Sequence, residues 1–390
     1  MKVHVENPLR INRKRNKAKI VFVQPGYAHY RYPLFDMIHR NHDVTFIFIR
    51  SKSIYPSRLS PDPEWNMLFL NGENNPFWIL KLLKHIFTLK PEVIITGISG
   101  SLHTIVSLAA GKILKIPVIL WSLSWDTSGF RRNYPYWKNF QRNIRVTLST
   151  KNADAIVVSG SRSREFNRKI SPEGKPLFTA YQSTEDQSLA PGMGTNVCNG
   201  KARSDSITIL YLSRIVEYKG LDILIHAFSC IEKEYENVNL IVAGDGPFRE
   251  YCEKVSHTLK VKNIIFYGDI QNEDAWKLYQ KADIFVLPCS GKNGTEAWGL
   301  VINEATSMGI PIVTTDAVGA VGDLVKDGIN GYVVKAGSVS ELLRAIKRLI
   351  SDETMRECMG KESRRLFEGI NSYEKMYEGF NSAIRSVTTK

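Results

Sequence analysis

Short β-branched runs alternate with helix-length amphipathic stretches on both sides of one polar stretch, and this pattern constrains the chain more than anything else. Lys19–Val23, Val44–Ile49, Val93–Thr96, Pro117–Trp121 and Ala155–Val158 read as buried strands. Trp78–Leu89 and Leu102–Leu114 carry helical spacing between them. From Gln182 to Ser206 the chain turns polar and rich in Gly, Ser and Asn, which predicts a linker. The pattern then restarts with Thr208–Leu212, Asn239–Ala243, Ile264–Tyr267, Ile284–Leu287 and Pro311–Thr314. Such alternation predicts α/β architecture with parallel sheets covered by helices. The expectation is two Rossmann-like, doubly wound domains, at 1–190 and 205–370, facing a central cleft. At 390 residues the chain is too long for one ordinary core.

Composition narrows the function. The basic N-terminus has no apolar run before Ile20, so it does not read as a secretory signal. No apolar stretch is long enough for a spanning helix. Five cysteines are dispersed without C-x-x-C spacing, which points to a reducing compartment and away from a zinc site or disulfide framework. The net charge of +13 lies wholly in residues 1–200, which hold 28 Lys and Arg against 13 Asp and Glu. That half therefore expects a polyanionic partner: nucleic acid, an anionic membrane or a phosphorylated substrate.

Open α/β sheets take ligands at the carboxyl ends of their strands. The richest such place is Ala282–Gly309. A strand runs into a Gly-containing loop, Glu296 follows, and a helix begins near Gly299 with Leu300 and Val301. Free N–H groups and the positive dipole end there suit a diphosphate. Glu304, further along that helix, can accept hydrogen bonds from ribose hydroxyls. Two acidic residues near a helix start also occur for reasons of dipole alone; the strand, loop and helix around them favour a site. Arg214 and Lys219 follow the domain's first strand, where two cations can neutralise a diphosphate leaving group. Gly244 and Gly268 close the next two strands and would line the side of the crevice.

Several motifs in order complete the picture: SRI-x3-KG, AGDGP, FYGDI, ADIFVLPC, E-x7-E, GIPIVTTDAVG and DGINGYVV. From about Ile207 to Ile350 the chain resembles the retaining glycosyltransferase family 4, of GT-B architecture. The resemblance implies that Arg214 and Lys219 hold the donor diphosphate, Glu296 contacts the transferred sugar and Glu304 binds ribose. It also implies that Gly299, Leu300 and Val301 offer backbone N–H groups to the phosphates. A C-terminal helix over about 371–390 is expected to pack back on the first domain. The usual Gly-Arg-Leu-like triplet is here Ser213-Arg214-Ile215. The N-terminal half matches more loosely: Gln24-Pro25-Gly26-Tyr27 and Tyr30-Arg31-Tyr32-Pro33-Leu34-Phe35 resemble a first glycine loop, with Gly26 approaching donor phosphate. Many members carry a histidine after the strand represented by Val118–Trp121. This chain reads Ser122-Leu123-Ser124-Trp125-Asp126 instead, and Asp126, Ser124 or Trp125 would replace it. His103 reads as structural.

The implied activity is retaining transfer of a hexosyl group from a UDP- or GDP-sugar to a glycan acceptor, lipid-linked by preference, in cell-surface polysaccharide or glycolipid synthesis. A nucleotide-sugar epimerase of the same architecture is the alternative. Neither base nor sugar is legible. Asp126 is the one first-domain carboxylate expected near the centre, and a front-face route is preferred over double displacement. No D-x-D triplet occurs, which fits protein cations in place of a metal; no cofactor beyond the nucleotide-sugar co-substrate is implied. Phe130–Arg145 mixes basic and aromatic residues, as an interfacial surface facing anionic lipid does. Arg10–Lys19 and Arg162–Lys169 would add to it. A solvated basic helix with its aromatics turned inward has the same composition. Peripheral attachment to the cytoplasmic membrane face is expected, and a nucleic-acid partner is not.

Overall fold

The computed structural model describes residues 17–50, 64–72, 75, 77–130, 136–190, 206–271 and 274–389. The first domain is a sheet of seven strands ordered β3-β2-β1-β4-β5-β6-β7, every pairing parallel. Its strands are β1 (Lys19–Gln24), β2 (Asp43–Phe48), β3 (Asn66–Phe69), β4 (Val93–Gly97), β5 (Val118–Ser122), β6 (Ala155–Val158) and β7 (Leu177–Thr179). β1, β4, β5 and β6 are buried almost throughout, which is why they read as continuous apolar runs. β3 and β7 are edge strands of four and three residues with no fully buried position, and neither shows as an apolar run in the sequence.

The second sheet has six strands ordered β10-β9-β8-β11-β12-β13, again all parallel. They are β8 (Ile207–Leu212), β9 (Val238–Ala243), β10 (Ile264–Gly268), β11 (Ile284–Leu287), β12 (Ile312–Thr315) and β13 (Gly331–Val334). The edge strand β13 sits inside the DGINGYVV motif, where turn glycines hide its strand character. Gly331 takes φ +153°, and a Cβ there would run into the Ile312 backbone.

Helices cover both faces of both sheets. On the first sheet, α1 (Tyr32–Asn41) and α12 (Tyr373–Thr388) pack one face, with Leu34, Phe35, Met376 and Phe380 in its core. α2 (Trp78–Leu89) and α3 (Leu102–Leu114) pack the other, contributing Leu82, Ile86 and Leu108. On the second sheet α6 (Leu221–Ile231) and α10 (Val339–Ser351) lie on one face, and α9 (Leu300–Ser307) and α11 (Glu353–Ile370) on the other.

The chain crosses between domains twice. Gln182–Thr184, expected to open the linker, is instead buried. Asn371 explains it: its side chain bonds both the N–H and the carbonyl of Thr184, at 2.9 Å each. Asn303 donates to the Gln182 carbonyl at 2.8 Å and to Asn371 Oδ1 at 2.9 Å. Both crossings are thus tied into one polar knot beneath α9. Residues 191–205 of the expected linker lie outside the described residues.

Candidate functional site

In the second sheet the order changes direction between β8 and β11, the topological switch point where open α/β sheets bind ligands. The loops leaving those two strands are stitched together. Ser290 N–H donates to the Tyr218 carbonyl at 2.8 Å, and Asn293 donates to the Glu217 carboxylate at 2.6 Å. Lys292 and Asn293 hold Glu217 below the usual carboxylate range. Gly220, at φ +71°, lets the β8 loop turn into α6 against the Pro288 carbonyl, where a Cβ would collide.

Lys219 and Glu296 meet in this crevice. Lys219 ends a 3-10 turn at Glu217–Lys219 and is 7% exposed; its Nζ forms an ion pair with the Glu296 carboxylate. Burial opposes its charge, but Glu296 above all holds the ammonium above the usual lysine range. Burial pushes the neighbouring Cys289 thiol up to about 12, so it stands beside Lys219 as a neutral group. Glu296 is fixed by its backbone, which bonds the Ala317 carbonyl and the Gly319 N–H at 3.0 Å each.

Gly299 caps α9 at φ +96° without a side-chain cap, leaving the first N–H groups of the helix, at Leu300 and Val301, unserved by a cap. A Cβ on Gly299 would lie 3.3 Å from Glu296 Cγ, so the ion pair abuts that positive helix end. Glu304 lies on the same helix, and its carboxylate accepts from the Tyr279 hydroxyl at 2.8 Å. Burial pushes its carboxyl up to about 7, against the Tyr279 hydrogen bond, with Glu185 adding repulsion. Arg214 shares the Lys219 loop but is exposed, with no side-chain hydrogen bond or ion pair to other described residues. Gly244 and Gly268 close the adjacent strands, joined by Gly244 N–H to the Gly268 carbonyl at 2.7 Å. At φ +121° Gly244 crosses the Ser213 carbonyl where a Cβ would collide.

The first domain reaches this crevice through Trp125, not Asp126. The Trp125 indole donates to the Glu296 carbonyl at 3.1 Å and packs edge-on against Phe130, which in turn covers Gly291. Asp126 is exposed, turns back to accept from Ser128 N–H at 3.0 Å, and makes no contact with Lys219 or Glu296. That hydrogen bond, and the Ser128 hydroxyl, hold it below the usual carboxylate range. Gly26 is buried where β1 ends, in the first domain. His103 lies in the first turn of α3, its Nε2 2.9 Å from the Gly97 carbonyl oxygen, and burial pushes it down to about 4. Tyr279, Tyr218 and Asn303 were not legible as site residues; they reach their partners from helices and loops remote in sequence. Among the described residues no group of three or more His, Cys, Asp or Glu is placed to hold a metal ion.

Residues 199–366 match the family model of the glycosyl transferases group 1. That match spans the second domain and less than half of the chain. Capsular polysaccharide biosynthesis glycosyltransferase CapM of Staphylococcus aureus is 29% identical to this chain over 184 residues, 47% of each protein. The GDP-mannose-dependent alpha-(1-6)-phosphatidylinositol monomannoside mannosyltransferase of Mycobacterium tuberculosis is 29% identical over 161 residues, 40% of this chain and 42% of that protein. The chain spans about half the length of these curated relatives. Likeness in fold extends further. The crystal structure of Anabaena HepE in complex with UDP and glucose superposes with a TM-score of 0.73, covering 95% of this chain and all of that one at 17% identity. The two facing domains are therefore arranged as GT-B, with the second domain supplying the Lys219–Glu296 pair.

Proposed function

We propose that this chain is a retaining glycosyltransferase that moves a hexosyl group from a UDP- or GDP-sugar to a glycan acceptor, lipid-linked by preference, at an anionic membrane face. One observation carries the reading: a buried lysine is paired with Glu296, whose side chain abuts the uncapped N-terminus of α9 at the switch point of the second sheet. A diphosphate would receive the Lys219 ammonium and the α9 N–H groups; Arg214, free in solvent, would fold onto it. Glu296 would be handed from Lys219 to the sugar hydroxyls. Glu304 would accept from the ribose diol. The relatives' names fit such work, one in capsular polysaccharide synthesis and one on a phosphatidylinositol mannoside.

The chemistry proposed is front-face. The bond from the anomeric carbon to the phosphate oxygen breaks, the acceptor oxygen bonds to the same face, and the acceptor proton passes to the departing phosphate. Lys219 and the α9 terminus stabilise the charge growing on that phosphate. Asp126, turned onto Ser128, is not poised as a nucleophile, which supports this route over double displacement. Membrane attachment is supported by three neighbouring helices, α2, α3 and α4 (Tyr136–Asn152), which contain no Asp or Glu. Residues 10–16 and 131–135 of the basic segments lie outside the described residues. No described helix is long and apolar enough to cross a membrane.

The test is nucleotide release from a panel of UDP- and GDP-hexoses. The wild type should release UDP or GDP, with EDTA changing the rate less than about twofold. Lys219→Gln should lose on the order of 10²–10³-fold, the usual worth of a donor stabilising a developing oxyanion. Strong EDTA inhibition would sink the metal-free account, and an epimerised sugar among the products would replace transfer by epimerisation.

A further inference from the structure

Arg31 belongs to the Tyr-Arg-Tyr-Pro-Leu-Phe segment, and no role for it follows from the donor site. It is 8% exposed, and among the described residues its guanidinium has no carboxylate partner. It donates through Nη1 to Gln24 Oε1 at 2.8 Å and lies over the Trp121 ring, 4.3 Å from its centroid. Three N–H donors in this group are buried with no acceptor among the described residues: Arg31 Nε, Gln24 Nε2 and Trp121 Nε1. A buried cation without a counter-ion is strongly unfavourable, and each orphaned donor adds to that. A place with three unserved donors, one of them cationic, and no unserved acceptor among these residues is built for an anion.

Position supports the same conclusion. Gln24 ends β1 and Trp121 lies near the end of β5, with β4 between them, so the cluster marks the β1–β4 switch point of the first sheet. Gly97 at the end of β4 leaves room for the Gln24 amide, which a Cβ would strike. Tyr373 at the start of α12 donates to the Tyr30 carbonyl at 3.1 Å, anchoring the neighbouring backbone. The donor diphosphate already has its cation and helix end in the other domain.

We infer that Arg31, with Gln24 and Trp121, forms an anion site in the first domain that takes a phosphate or carboxylate group of the acceptor. That the anion belongs to the acceptor rests on the glycosyltransferase reading; that an anion binds does not. The full chain is tested with inorganic phosphate and with glucuronate, against neutral glucose, by following thermal stability in Lys219→Ala, which removes the donor-side cation. Phosphate, alone or together with glucuronate, should raise Tm in that background, glucose should not, and adding Arg31→Gln should abolish the rise. A rise with phosphate alone assigns a phosphate, and a rise with both admits a carboxylate. Arg31→Lys keeps charge but loses the fork, and should weaken the response about tenfold. In anion-free buffer Arg31→Gln should be at least as stable as wild type, because it removes an unpaired buried charge; a merely structural arginine would make it less stable. UDP and GDP affinity should be unchanged in Arg31→Gln, while the acceptor KM rises at least tenfold. An equal anion response with and without Arg31, or an undiminished one in Arg31→Lys if the glutamine variant does not fold, overturns the anion site. Loss of nucleotide binding in Arg31→Gln overturns the acceptor assignment. Anion binding in a chain that turns over no nucleotide sugar supports the site and removes only the glycosyltransferase reading.

Discussion

Glu304 is half-buried and Lys219 buried, and only the lysine is paired with an opposite charge. Glu304 receives a neutral hydroxyl from Tyr279 and no cation, so burial dominates and its carboxyl rises to about 7. The folded protein then holds a proton that the unfolded chain releases, from the ordinary carboxylate range up to about 7. Stability from this group is therefore fully present at low pH and lost as pH rises through that window. Glu304→Gln should match the wild type near pH 5 and exceed it at pH 8 by about 1–3 kcal/mol, since one pKa unit is worth about 1.4 kcal/mol before solvent screening. Urea unfolding at the two pH values measures this; a wild type more stable than the variant at pH 8 would contradict it. If Glu304 accepts from ribose, nucleotide binding favours the ionised form and should release a proton near pH 7, seen as a buffer-dependent binding heat. Glu304 was legible in the sequence as a carboxylate further along the helix that begins near Gly299. Its raised pKa was not, because it comes from burial that only the folded chain creates, with Glu185 adding repulsion from the domain crossing.

Elements were legible where burial is continuous or helical spacing is long. α2 and α3 run Trp78–Leu89 and Leu102–Leu114, the bounds their spacing implies. The edge strands β3, β7 and β13 were not legible, because a strand half-covered or broken by turn glycine gives no apolar run. The same exposure makes α2 and α4 functional candidates. Phe77, Leu80 and Phe87 are 65%, 62% and 64% exposed, one stripe beside the exposed Lys81 and Lys84. Phe140, Ile144 and Leu148 form a second stripe along α4 at 55%, 42% and 48% exposure. Helices packed in this way should lay their apolar stripes into a headgroup layer, with basic residues drawn to anionic lipid. The sequence placed this surface on Phe130–Arg145, with Arg10–Lys19 and Arg162–Lys169 adding to it; an α2 half emerges only because α3 packs against both helices. Lys81→Glu with Lys84→Glu should cut flotation with phosphatidylserine vesicles at least tenfold, at about 1 kcal/mol per basic residue near the surface. Tm should stay within a degree or two, since both side chains lie on the exposed face. Equal flotation of variant and wild type would remove α2 from the membrane surface.

At the scale of the molecule, closure of the two domains is held at two places of different character. Near the crossings, the Asn303 and Asn371 side chains bond each other and the backbone of Gln182 and Thr184, a largely buried knot suited to a hinge that must not slip. Across the cleft the bonds leave α5 (Ser161–Ile170) from its first turn. Ser161 donates from its backbone and its hydroxyl to Asp323 Oδ2, at 2.7 and 2.8 Å. Arg162 donates to the carbonyls of Asp316 and Val318, at 2.7 and 3.0 Å, and lies over the Trp125 ring. Gly160 permits this approach, because a Cβ there would press on Trp298 and Asp323. The same contacts carry Trp125 to the Glu296 carbonyl, so domain closure and the position of Glu296 are one event. A carboxylate held by a helix N-terminus and a hydroxyl loses both when replaced, while the small polar knot is untouched. Asp323→Ala should therefore shift the free protein toward open forms without loosening the hinge. Small-angle scattering should show a larger radius of gyration for the variant, by about an ångström or more, that returns to the wild-type value with saturating nucleotide. Turnover should fall more through KM than through kcat, because closure is then paid for by substrate binding. A variant whose radius matches the wild type in the free state would show that the hinge knot alone sets the domain angle.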